Sequence, residues 1–233
     1  MVAPTDVAGL KELLTTGTRI LYEHGLVDAF GHLSVRLPGT DRFLINPRQS
    51  PALLRPDTVL TMTLDGEVVE GTMRANSEWH IHASIYRARP EVQSVVHAHT
   101  EMSIIFSMSP VGLRPIFGNM SPQFGPDPLP VYPYPRLITD REKGDRVAQT
   151  LGSRSAVLLR GHGCAVSGGA VQQTVIRLIE LERNGRFLQA ILAQNRGEPR
   201  YWSAEEVAEW GGGEAPSVGS DRYWEYLTSR PPR

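Results

Sequence analysis

VVHAHT (Val95–Thr100) sets two of the chain's seven histidines two residues apart, directly behind a pair of valines. The apolar run that carries them, VQSVVHAHT (Val92–Thr100), reads as a strand. Side chains on a strand alternate between faces, so His97 and His99 project to one side only a few ångströms apart. That geometry suits two imidazoles on one metal ion. It equally suits two half-exposed strand residues, and the spacing alone leaves both readings open. His80 and His82 have the same spacing but fall in a helical pattern, where two residues subtend about 200°. They cannot share an ion and serve as an internal contrast.

Upstream of the strand, Asn76-Ser77-Glu78 precedes a helical pattern through Ile81, Ile85 and Ala88 that stops at Pro90. Asn76 or Ser77 is the expected N-cap. Earlier still, HLSVRL, RFLINP, TVLTMTL and EVVEG alternate with turn signals between Gly31 and Val69, as successive short strands do. Val7, Leu10, Leu13, Leu14, Ile20 and Leu21 mark an opening amphipathic helix over 7–24, interrupted by Gly17 and ended by Gly25. Downstream, residues 109–136 hold eight of the 18 prolines and read as an ordered functional loop. A short helix (Arg141–Leu151), a strand (Ala156–Arg160), the turn Gly161-His162-Gly163 and a long helix over Ala170–Ala193 follow. The polar, glycine-rich tail beyond Asn195 carries Trp202, Trp210 and Trp224, which are expected to pack on something.

His162 between two glycines, after a second apolar strand, makes a third imidazole available on a tight turn. Three neutral imidazoles with an open position are a recurring catalytic arrangement for zinc, and manganese or iron fits where oxygen ligands complete the shell. Glu78 is the natural acid to join them, since its helix feeds directly into the His97 strand. Taken alone, Glu78 could simply favour a helix N-terminus.

The composition agrees with a soluble globular protein. At 233 residues, 40% hydrophobic, the chain can bury an ample core and is read as a single domain over 1–233. A net charge of −1 with scattered basic residues gives no footprint for nucleic acid. No apolar run approaches the roughly 20 residues that cross a bilayer. The single Cys164 cannot form an internal disulfide, and MVAPTDVAGL lacks the regions of a signal peptide, so a reducing cytoplasm is the expected compartment.

SEWHIHASIYRARPEVQSVVHAHT (Ser77–Thr100), followed by LLRGHGCAVSGG (Leu158–Gly169) and a long helix, resembles the class II aldolase/adducin family over roughly residues 8–195. The resemblance implies a three-layer α/β/α sandwich with a central, mainly antiparallel sheet, leaving 196–233 as an extension. It implies one divalent metal ion (Zn, Mn, Fe or Co) held by His97, His99 and His162, with Glu78 as acid/base or extra ligand. It also implies a homotetramer with active sites at subunit borders.

The sugar-phosphate members of that family bind phosphate through G-N-x-S, T-P-S-G and S-S segments. Here those stretches read Gly31-His32-Leu33-Ser34, Asn46-Pro47-Arg48-Gln49 and Asn76-Ser77. An imidazole and a guanidinium in place of a small phosphate cradle favour a planar anion such as a carboxylate, which Arg binds bidentately. Arg48 is the expected carboxylate partner, assisted by Ser77 and His32. These departures resemble the decarboxylase branch, whose members act on hydroxylated aromatic or pyridine dicarboxylates. Glu78, provided that burial keeps it protonated, or a metal-bound water would then supply the proton. The alternatives are an aldolase or epimerase on a sugar-like substrate, a non-haem iron oxygenase on the same scaffold, and a non-catalytic adducin-like binding module.

Overall fold

The computed structural model describes residues 6–118, 121–211 and 217–229. The chain runs α1 (Val7–Glu23), β1 (His32–Arg36), β2 (Arg42–Ile45), β3 (Leu60–Thr63), β4 (Val68–Glu70), α2 (Trp79–Ala88), β5 (Ser94–Ala98), α3 (Glu101–Met108), α4 (Ser121–Phe124), β6 (Val131–Tyr132), α5 (Arg141–Leu151), β7 (Ala156–Leu159), β8 (Gly163–Gly168), α6 (Val171–Leu192), α7 (Ala204–Gly211) and α8 (Ser217–Thr228). Two single 3₁₀ turns lie between β2 and β3. Among the described residues no helix is long and apolar enough to cross a membrane.

The strands form one eight-stranded sheet in the order β4-β3-β2-β1-β5-β8-β7-β6. Every pairing is antiparallel except β6 with β7. Period-two alternation builds two cores. Val96, Leu158 and Val166 face one cluster with Leu14, Met102, Val175 and Leu178 of α1, α3 and α6. Their neighbours Val95, Val157 and Ala165 face the other, with Ile81, Ile85 and Val147 of α2 and α5. The result is the three-layer α/β/α arrangement that the family resemblance implied. Burying such a side chain on either face stabilises the fold by about 1.5–3 kcal/mol.

Two expectations need correction, and the expected packing of the tail is found. Neither Asn76 nor Ser77 caps α2; Glu78 occupies the N-cap position and makes no capping bond, because its carboxylate is drawn into the site. The Asn76 amide instead donates to the carbonyls of Asn46 and Pro47. The proline-rich stretch is not wholly irregular, for Val131–Tyr132 adds the parallel edge strand β6. The tail carries α7 and α8, and Trp224 and Leu227 join the α1/α6 core. Trp202 packs edge-on against Trp210 with ring centroids 5.2 Å apart.

Candidate metal centre

His97 is the fourth residue of β5, and His99 lies one residue past its end. His97 is fully buried on the α2 face of the sheet, while His99 is partly exposed. His162 arrives from the turn between β7 and β8. Gly163, with φ of 153°, lets that turn close on β5: a Cβ there would collide with the Ala98 carbonyl. The three imidazoles stand as a triangle, every pair of ring centroids 4.9 Å apart. Glu78 enters from the start of α2, its Oε2 3.5 Å from Nε2 of His162 and 3.7 Å from Nε2 of His97. One ligand atom from each of these four residues lies within 4.8 Å of all the others.

The donor set fits a divalent ion. His97 donates Nδ1–H to the Cys164 carbonyl at 2.9 Å, which fixes the tautomer and leaves a lone pair on Nε2. Both buried ring nitrogens of His162 lack a hydrogen-bond partner among the described residues, and coordination of an ion would relieve one of them. Burial holds His97 down to about 3, with the neighbouring His162 and His99 adding to the effect and Glu78 opposing it. Burial and His162 likewise depress His99. Neutral imidazoles beside a carboxylate are the form in which a divalent transition ion is bound.

The condition that burial keep Glu78 protonated is not met. Burial pushes its carboxyl up, but the His162 and His97 imidazoles and the Ile138 N–H outweigh this and bring it to about 2. Ile138 N donates to Oε1 at 2.8 Å, so the backbone just past the proline-rich segment adds to the histidines in favouring the carboxylate. Nothing in the sequence pattern around Ile138 marked this contact.

The cluster opens into a cleft of about 490 Å³ that Arg48, Ser77 and His32 also line, with Phe30 and Leu137 at its apolar side. All three expected substrate-binding residues are thus brought beside this cluster. Arg48 is held there by its backbone: its N–H donates to the Arg74 carbonyl at 2.8 Å, and Pro47 bridges to Ala75. Its exposed side chain forms no ion pair among the described residues. His80 stacks on Trp79 at 3.8 Å, outside the cluster. His82, in contrast, turns inward, and its Nε2 lies 2.6 Å from Nδ1 of His32. A larger cleft of about 750 Å³ between α1, α6 and α8 contains none of the four ligand residues, so chemistry rather than volume selects the site.

Residues 12–187 match the family described as Class II Aldolase and Adducin N-terminal domain. A 3,4-dihydroxyphthalate decarboxylase of Arthrobacter keyseri is 30% identical over 193 residues, 77% of each chain. A decarboxylase of Talaromyces stipitatus is 33% identical over 194 residues, 74% of this chain and 72% of its own. An aldolase II superfamily protein from Pseudomonas syringae has the same fold, with a TM-score of 0.83 over 97% of this chain and 93% of its own at 24% identity. Sheet order, ligand cluster and sequence match together place the chain in the class II aldolase and adducin N-terminal domain family.

Proposed function

We propose that the chain is a divalent-metal-dependent decarboxylase of a hydroxylated aromatic or pyridine dicarboxylate. The observation that carries this reading is the lining of one cleft by Arg48 together with Glu78, His97 and His99, three members of the four-residue cluster. A guanidinium in that cleft can grip one carboxylate in a bidentate fork while the other sits at the reacting end. The 30% identity to a dihydroxyphthalate decarboxylase over 77% of both chains supports the substrate class.

His97, His99 and His162 would hold a divalent ion, which would supply Lewis acidity beside the ring. Arg48 binds the carboxylate that stays, with Ser77 and His32 beside it. Phe30 and Leu137 give the ring apolar surface. Glu78, already ionised, takes the proton of the ring hydroxyl on Oε2. It returns that proton to the ring carbon as the bond to carbon dioxide breaks, so the bonding pair of the old C–C bond becomes the new C–H bond. The ring oxygen left negative regains a proton from solvent. Exposed Phe30 and Leu137, 67% and 57% accessible at the mouth, support a homotetramer that covers them.

The test is carbon dioxide release from 3,4-dihydroxyphthalate and related hydroxy-dicarboxylates by the metal-loaded protein. Stoichiometric release is expected. Cleavage of a sugar phosphate without such release would move the reading to aldolase, and oxygen uptake would move it to oxygenase.

A further inference from the structure

Behind the metal cluster runs a continuous buried file of polar groups. His32 Nδ1 lies 2.6 Å from His82 Nε2, His82 Nδ1 lies 2.7 Å from Ser34 Oγ, and Ser34 Oγ lies 2.6 Å from the Tyr86 hydroxyl. All four side chains are at most 5% accessible. Two periodicities build the file: His32 and Ser34 share a face of β1, and His82 and Tyr86 are one turn apart on α2.

Hydrogen-atom bookkeeping gives the file a direction. Tyr86, the more acidic hydroxyl, donates to Ser34 Oγ at 2.6 Å. That leaves the one Ser34 hydrogen two acceptors, His82 Nδ1 at 2.7 Å and the Val95 carbonyl at 3.3 Å. The shorter contact takes it, the longer lying outside the usual O–H···O range. A His82 that accepts on Nδ1 carries its hydrogen on Nε2 and donates it to His32 Nδ1. A His32 that accepts on Nδ1 carries its hydrogen on Nε2, the ring nitrogen left for the cleft that His32 lines.

We propose that His32 is fixed as an Nε2–H donor to a carboxylate or phenolate oxygen of the substrate, with His82, Ser34 and Tyr86 as the positioning residues that set its tautomer. The identity of that ligand rests on the hydroxy-aromatic dicarboxylate reading; the tautomer does not. The assignment also separates His32 from the metal ligands. Its ring centroid is only 5.2 Å from that of His97, yet a protonated Nε2 has no lone pair to offer an ion. Donors aligned head to tail polarise one another, so the His32 N–H strengthens as negative charge gathers on the bound oxygen.

The deciding measurement is the ring-nitrogen spectrum of ¹⁵N-histidine-labelled, zinc-loaded protein without substrate, by magic-angle-spinning NMR, with His32→Gln and His82→Gln as assignments. Both residues are expected as Nε2–H tautomers. In Ser34→Ala the donor to His82 Nδ1 is gone, and Nδ1–H forms of both rings should appear. A wild-type His32 in the Nδ1–H form, or no change in Ser34→Ala, overturns the proposal. A second readout uses 3,4-dihydroxyphthalate turnover. Direct loss of an oxyanion donor typically costs 10²–10³ in kcat, so loss of a positioning residue in Ser34→Ala or His82→Leu should cost about tenfold in kcat with KM little changed. His82→Gln, whose amide N–H can still reach His32, should recover most of it; recovery equal to that of His82→Leu counts against the proposal. Absence of turnover in the wild type would sink the decarboxylase reading and leave the NMR result to decide the tautomer.

Discussion

The Nε2 atoms of His97 and His99 lie 3.0 Å apart. His97 has its hydrogen on Nδ1, committed to the Cys164 carbonyl, so the short approach requires a hydrogen on His99 or a cation between the two rings. Metal content should therefore be about one ion per chain, lost in His97→Ala, His99→Ala and His162→Ala by elemental analysis. His80→Ala, removing a ring stacked on Trp79 outside the cluster, should keep its ion. Full occupancy in all three ligand variants would refute the metal centre.

Glu78→Gln keeps the shape of the side chain and an oxygen that can still accept from Ile138 N. It removes the carboxylate that carries the proton. Turnover should fall by about 10² or more, since general acid–base catalysis is worth 10²- to 10⁴-fold. Turnover close to wild type would reduce Glu78 to a residue that ties α2 to the Ile138 segment.

Arg48 should distinguish dicarboxylates from monocarboxylates. A charge-assisted hydrogen bond is worth about 1.5–3 kcal/mol, or roughly 10- to 150-fold in kcat/KM. Arg48→Lys should already be damaged, because an ammonium cannot reproduce the fork, and Arg48→Ala more so. The loss should fall chiefly on KM, because the retained carboxylate is held in both ground and transition states. If the variants discriminate between the two ligands as the wild type does, Arg48 does not read the second carboxylate.

The metal-free protein should lose stability in mild acid through His82. Burial, with His97 adding to it, lowers this ring from 6.5 to about 3. The unfolded chain therefore takes up a proton below about pH 6.5 that the folded chain refuses until about pH 3. The stability held above pH 6.5 declines through that window, by up to about 1.4 kcal/mol per pH unit for this ring. His32 and His97 are depressed in the same direction, so the comparison is of urea midpoints between wild type and His82→Gln from pH 7 to 4. A shallower decline in the variant is expected; parallel curves would contradict it.

Gly144→Ala should destabilise the fold by about 1–3 kcal/mol, the usual cost of overpacking. A Cβ at 144 in α5 would stand 2.6 Å from Ser84 Oγ and 2.7 Å from the His80 carbonyl of α2. The hydroxyl can rotate, but the backbone carbonyl cannot. Thermal denaturation reads the effect, and an unchanged midpoint would show that α2 and α5 have slack between them.

The sequence alone determined the elements that local periodicity governs. The run through VVHAHT, the helix Arg141–Leu151 and the long helix after Ala170 all declare themselves by the two- or 3.6-residue repeat of their apolar positions. It also pointed to His97, His99, His162 and Glu78, which the fold brings together, through the His-x-His spacing, a histidine between glycines and the family resemblance. What it left undecided depends on atoms that meet only across the fold. Burial of Glu78 was foreseeable, but the His162 and His97 rings and the Ile138 N–H, 60 residues away, that oppose its protonation meet it only in the fold. His82 stood as a contrast to the ligands, and only the packing of α2 on β1 brings it against His32 and Ser34. Periodicity fixes which side chains share a face, whereas the partner of that face, and with it the charge and hydrogen positions of the site, is set by tertiary packing.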